Sequence, residues 1–377
     1  MPGLLPDVDP DGLLEYSVVY TDRAINHMSG KFQTVMRDIY TTLKEVYQAD
    51  NVVVVPGSGT FGMEAVARQF ATDKKTLVIR NGWFSFRWTQ IFEMGDIPAS
   101  STVLKASKTD ADKYAPFRPA DLDEVVATIA REKPDMVFAP HVETSAGMLL
   151  PDDYIKAVCD AVHANGGMFV LDCIASGTVW VDMQALGVDI LVSAPQKGWS
   201  GPPCAGLVMM SEKATAAMNE SSSTSFAIDL KKWHDIMQAY IGGAHAYHAT
   251  MPTDSLTRFR DVMFETKAYG FDKIKAEQIE LGQRIRGLLD ENGFKSVAAP
   301  GFEAPGVVVC YTDDPDLKTG KKFAAQGLQI AAGVPLQCDE RDDFQTFRVG
   351  LFGLDKLQHV DRSVANFAAA LEVVADK

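Results

Sequence analysis

The chain has 377 residues, 46% hydrophobic and 23% charged, a composition that excludes a disordered or fibrous polymer and suits a large domain with a smaller one. Lys and Arg number 36 against 50 Asp and Glu, so the net charge of −14 argues against nonspecific binding to nucleic acid or anionic lipid and in favour of small-molecule partners. The opening MPGLLPDVDPDGLL lacks the basic and apolar regions of an export leader, and no apolar run reaches the ~18 residues of a membrane helix, so neither export nor a membrane span is expected.

In chain order, short β-branched or apolar runs at 52–55, 76–79, 136–139, 168–171 and 190–193 read as buried strands. Helical spacing fills the gaps at 61–71, 85–94, 122–131 and 153–164, with acids or Pro near the starts. This βα alternation predicts an α/β fold with a mainly parallel sheet covered on both faces. After about Pro252 the pattern changes to one long amphipathic helix over 255–292, a strand at 307–311, a helix near Lys321, a strand at 346–351 and a final helix from Asp355. These elements read as a separate α+β unit, and the Ser-rich tract 221–225 as a flexible connection. The five cysteines are odd in number, scattered and without C-x-x-C spacing, which points to a reduced, cytoplasmic setting and to no metal site.

Three stretches carry chemistry. In VVVVPGSGTFGMEA, Gly57, Gly59 and Gly62 spell G-x-G-x-x-G between a strand and a helix. That spacing suits a dinucleotide, and Arg80 at the end of the next strand keeps NADP open; equally, Ser58, Gly59 and Thr60 offer N–H groups and hydroxyls to any phosphate at a helix N-terminus. In GGMFVLDCIAS, Asp172 closes a buried strand at the edge where open α/β sheets hold ligands, and a carboxylate there calls for a cationic partner. In VSAPQKGWSGPP, Lys197 follows the next buried strand, a position that removes water from an ammonium and lowers its pKa. One ligand unites the three: pyridoxal phosphate needs a lysine for its aldehyde, a carboxylate for its ring nitrogen and a helix N-terminus for its phosphate.

From about Asn26 onward the motifs GSGTFGMEA, NGWFSFRW, HVETSAGMLLP, VLDCIAS, SAPQKGWSGPP, YHATMPT and FRVGLFG follow in an order that resembles the class V aminotransferases of fold type I, the alanine/serine–glyoxylate aminotransferase group, with the 2-aminoethylphosphonate–pyruvate aminotransferases nearby. The resemblance implies a PLP-dependent transferase fold with an N-terminal arm at 1–25, a large cofactor domain at 26–254 and a small domain at 255–377. It implies that Ser58, Gly59 and Thr60 form the phosphate cup, that Phe84 stacks on the pyridine ring, and that Thr144 lies near the ring hydroxyl. Asp172 then partners the ring nitrogen, Ile174 touches the other ring face, and Gln196 contacts phosphate beside the cofactor-bearing Lys197. Tyr247 and Thr250 reach the phosphate of a neighbouring subunit, which implies a homodimer, and Arg348 pairs with the substrate carboxylate.

The implied reaction moves an amino group from a small amino acid to a 2-oxo acid such as glyoxylate or pyruvate. The family's Pro-Gly-Pro opening is replaced here by PDVDPDGLLEYSVVYTDRAINHMSG, so Glu15, Tyr16, Tyr20 and His27 become candidates for substrate contacts. Competing expectations are a 2-aminoethylphosphonate–pyruvate-type transaminase, an NADP oxidoreductase built on the glycine motif, and a cysteine desulfurase or lyase using Cys338 as sulfur acceptor.

Overall fold

A computed structural model describes residues 13–375; the first half of the expected N-terminal arm lies outside them. A seven-stranded sheet runs in the spatial order Asn51–Pro56, Ala205–Met210, Ile190–Ser193, Met168–Asp172, Met136–Pro140, Lys75–Arg80 and Ser100–Lys105. Only Ala205–Met210 runs against its neighbours; the remaining pairs are parallel, as the alternation predicts. The inner strands are buried along nearly their whole length, which is why they read as continuous apolar runs without a polar alternation.

The intervening helices carry their own start and stop signals. Asp121 accepts a hydrogen bond from the Asp123 amide at the head of Leu122–Glu132, acids fill the first turn, and Arg131 stands in the last. Ser29 likewise caps Gly30–Tyr47, an amphipathic helix that the sequence reading did not anticipate.

The second unit pairs Thr346–Gly350 antiparallel with Val307–Tyr311 on one side and Ala331–Ala332 on the other. The long helix expected over 255–292 is instead two, Thr253–Tyr269 and Phe271–Glu291, separated by Gly270 at φ +107°. This break divides the apolar cores. Leu256, Phe259 and Met263 of the first helix pack with the large sheet, whereas Ile274, Leu281 and Ile285 of the second join Phe347 and Leu371 in a core of their own. From one helix to the next the core changes at Gly270, while a third core, where Phe117, Val142 and Met148 pack with Val307, Val309 and Tyr311, spans both units. The final helix is likewise two, Leu354–Gln358 and Val360–Ala375.

The glycine motif has a packing explanation. A Cβ at Gly206 would lie 2.7 Å from both N and Cα of Gly62 and 2.9 Å from the Ser58 carbonyl oxygen. The head of the Gly59–Phe70 helix thus rests backbone to backbone on the Ala205–Met210 strand, and no flexible side chain is present to yield. We expect Gly206→Ala to lower stability by about 1–3 kcal/mol, the usual cost of overpacking, read as a lower urea midpoint; an unchanged midpoint would show that this contact is looser than the structure has it.

Candidate active site

The parallel strands end at one edge, and the chain leaves that edge with the residues singled out above. Asp172 is the last residue of its strand, opposite Pro140 on one side and Val192 on the other. Its Oδ1 accepts from the Ile174 amide at 2.9 Å. Burial pushes its carboxyl up to about 7; the Ile174 amide pulls it down, Glu143 adds to the rise and Arg87 opposes it.

Lys197 lies four residues beyond the neighbouring strand. Gly198 fixes this loop, because a Cβ there would collide with the Gly177 carbonyl oxygen. The Lys197 Nζ sits 5.5 Å from the centre of the Phe352 ring, and burial, reinforced by the Arg348 charge, holds its pKa below the ordinary lysine value. The second unit is anchored here as well, since the Leu354 amide donates to Ser200 Oγ at 2.7 Å.

Arg348 leaves the middle strand of the small sheet, its Nε donating to the Ala332 carbonyl at 2.8 Å and its guanidinium 5.6 Å from the centre of the Phe84 ring. Arg87, one turn past Phe84, lies 5.3 Å from the same ring and donates to Thr60 Oγ1 at 2.9 Å. Contacts therefore run from the head of the Gly59–Phe70 helix through Arg87 and Phe84 to Arg348, whose charge acts on Lys197. Ile174 closes on the same helix head: a Cβ at Gly59 would meet its Cδ1 at 2.6 Å. Thr144 is buried beside Glu143, and Gln196 Oε1 is buried with no hydrogen-bond partner among the described residues.

Tyr247 and Thr250 do not join this cluster within one chain. They are exposed, bonded to each other at 3.3 Å, with Tyr247 packed on His27. Tyr20 donates to the Met251 carbonyl at 3.1 Å, Glu15 accepts from Asn26, and Tyr16 is 88% exposed, so the arm packs on the same surface as Tyr247.

Two competing readings lose their footing. Arg80, kept open for NADP, is buried and engaged with the Gln337 carbonyl and Thr89 Oγ1. Cys338 is buried behind the Arg80 carbonyl, and burial, with Glu143 and Glu340 adding to it, pushes its thiol up to about 12, the opposite of a sulfur acceptor's needs. Sequence reasoning also missed Arg87 and Glu143. Both stand inside quoted motifs, and their pairing with Thr60 and with the Phe84 and Ser85 amides carries no sequence signal.

An amine of lowered pKa, a buried carboxylate and a guanidinium at the carboxyl edge of a doubly covered sheet define an enzyme that works on amines and acids, and the chain belongs to the class V aminotransferase family, whose profile it matches over residues 13–335. It is an aminotransferase. It is 28% identical over 357 residues to 2-aminoethylphosphonate–pyruvate transaminase 2 of Paraburkholderia xenovorans, covering 93% of this chain and 90% of that one. With alanine–glyoxylate aminotransferase of Oryctolagus cuniculus it shares 25% identity over 361 residues, 92% of this chain and 87% of the other. Pyridoxamine–pyruvate aminotransferase of Mesorhizobium loti, 17% identical, superposes with a TM-score of 0.78 across 100% of this chain and 91% of that chain, which shows the common fold.

The Asp172 geometry yields a signed pH dependence. Its folded pKa of about 7 lies above the ordinary 3.8, so ionising it costs nothing well below pH 3.8, and the cost grows until pH passes about 7. In protein freed of small ligands, we expect Asp172→Asn to stabilise by about 2–3 kcal/mol more at pH 8 than at pH 5, measured as urea midpoints. Equal shifts at both pH values would mean that the carboxylate is better solvated than its burial implies.

Proposed function

We propose that this chain binds pyridoxal 5′-phosphate at Lys197 and moves an amino group from a small amino acid to a 2-oxo acid such as pyruvate or glyoxylate, as a homodimer in the cytoplasm. The observation that carries the reading is the chain of contacts from Thr60 through Arg87 and Phe84 to Arg348, whose charge acts on the half-buried Lys197. The residues fit the cofactor: Gln196 Oε1 lacks a partner, the Ser58 hydroxyl makes no cap bond to its own helix, and Gly59 keeps that helix head bare against Ile174. Among the described residues no helix is long and apolar enough to cross a membrane.

When bound, pyridoxal phosphate supplies an aldehyde that carries the amino group and a ring that draws electrons from the substrate's α-carbon. Ser58, Gly59 and Thr60 would hold its phosphate at the positive end of the helix, with Arg87 adding a second charge through Thr60. Asp172 would face the ring nitrogen, where a cation beside it returns its carboxyl to the ionised form. Phe84 and Ile174 would bracket the ring, and Thr144 would lie near its hydroxyl. Lys197 Nζ, already held at lowered pKa, takes and returns the substrate proton. Arg348 orients the substrate carboxylate, and Phe352 excludes water beside Lys197.

A second reading, a 2-aminoethylphosphonate–pyruvate-type transaminase, draws on the Paraburkholderia relative and on the ability of Arg348 to pair with a phosphonate as well as a carboxylate. A donor panel separates the two readings. Purified protein is expected to be yellow, with borohydride fixing the coloured group to the Lys197 peptide, and small α-amino acids should bleach it. Bleaching by 2-aminoethylphosphonate alone would favour the second reading, and a colourless protein would remove both.

Arg348→Ala should lower kcat/KM by roughly 30- to 5,000-fold, the effect of losing ~2–5 kcal/mol of charged pairing. For assembly, Tyr247 and Thr250 completing the partner's site predicts an obligate dimer. Mixing Lys197→Ala with Tyr247→Ala subunits should then regenerate activity through one intact site per heterodimer; a fully active monomer in sedimentation would refute the shared site.

A further inference from the structure

Two helices of the large unit begin at the crevice, Gly59–Phe70 and Trp83–Gly95. Both heads carry unpaired amides and a partial positive charge, and both attract anions. The first is bare of any side-chain cap. The second already has an anion, supplied by the chain. Glu143, with no solvent exposure, accepts from the Phe84 amide at 3.2 Å, the Ser85 amide at 2.9 Å and Ser85 Oγ at 2.8 Å, and from the Ser145 amide at 3.1 Å and hydroxyl at 2.7 Å. Five donors on two oxygens more than fill the roughly four lone-pair sites that a carboxylate offers. Gly82 makes room for it: a Cβ there would lie 2.7 Å from Glu143 Cγ and would collide with Ser145 Oγ. One of the captured amides belongs to Phe84, the ring beside Arg348, and the Glu143 charge also acts on the half-buried Arg348.

We propose that Glu143 is the positioning residue of this site: it occupies the head of the Trp83–Gly95 helix, fixes Phe84, and supplies the counter-charge to Arg348. This inference rests on the pyridoxal-phosphate reading for its meaning. Two bare helix heads facing one crevice would offer a phosphate two seats and the ring two orientations; with one head filled by a carboxylate, the Gly59–Phe70 head remains for the phosphate. The same charge tempers Arg348, so that the guanidinium binds a substrate carboxylate and still releases the product.

The test compares Glu143→Gln, which keeps the shape and removes the charge, with Glu143→Asp, which keeps the charge and shortens the reach. Amide hydrogen exchange on ligand-free protein is read at Phe84 and Ser85 against the Gly59–Phe70 helix as an internal standard. Glu143→Gln should lose about tenfold protection at the two amides, and its KM for the 2-oxo acid should fall about threefold or more while kcat, normalised to bound cofactor, also falls. Glu143→Asp should loosen the same two amides with KM near the wild-type value. A merely structural role would loosen the whole sheet without moving KM. Unchanged exchange at Phe84 and Ser85 together with an unchanged KM in Glu143→Gln would overturn the proposal. If wild-type protein takes up no pyridoxal phosphate, it is the reading above that fails, and the exchange data still decide whether Glu143 holds the helix head.

Discussion

Two half-buried cations, Lys197 and Arg348, share one crevice, and the rest of the site answers to that constraint. Burial lowers the proton affinity of both; the Arg348 charge lowers that of Lys197 further, and the Glu143 charge opposes the effect on Arg348. The Glu143 charge acts on Arg348, but neither Glu143 nor Asp172 forms a direct salt bridge with either cation in this structure. Aromatic faces serve instead: Phe352 lies beside the amine and Phe84 beside the guanidinium. A ring is a weak partner for a cation. It leaves the amine reactive and the guanidinium open, which a tight ion pair would not do.

The same constraint accounts for the backbone around the crevice. Keeping an ammonium in a tight loop requires the loop to pass another with no side chain between, as Gly198 does against Gly177. Bringing the head of the Gly59–Phe70 helix to the crevice requires that helix to rest directly on the sheet, as Gly62 does on Gly206. Sequence spacing suggested a nucleotide fingerprint at Gly57, Gly59 and Gly62. Close helix-to-strand approach is the physical need the glycines meet here, and it is common to any phosphate site of this geometry.

Five of the seven strands were legible because burial leaves an apolar run with sharp ends, as in Met168–Asp172 and Ile190–Ser193. Ala205–Met210 escaped because Ala, Gly and Met carry little strand preference, although the strand is wholly buried. Ser100–Lys105 escaped because it is an edge strand, half in water. Gly270 went unread because amphipathic spacing continues across it while the face it serves changes from one core to another. At the site, Lys197, Asp172 and the helix head were legible from their place at strand ends. Arg87 and Glu143 were not, since both act through partners far away in the chain, Thr60 and the Phe84 and Ser85 amides, that only the fold brings close.

The break at Gly270 gives this arrangement a mechanical side. Lys197 is carried by the large unit and Arg348 and Phe352 by the small one, and the two meet along a shared core, where Phe117, Val142 and Met148 pack with Val307, Val309 and Tyr311 and Phe352 lies against them, as well as through the Leu354 amide on Ser200. Any rotation between the bodies that carries Arg348 and Phe352 away from Lys197 readmits water and restores the amine's appetite for a proton. The proton affinity of the lysine is therefore tied to how closely the two units pack around it.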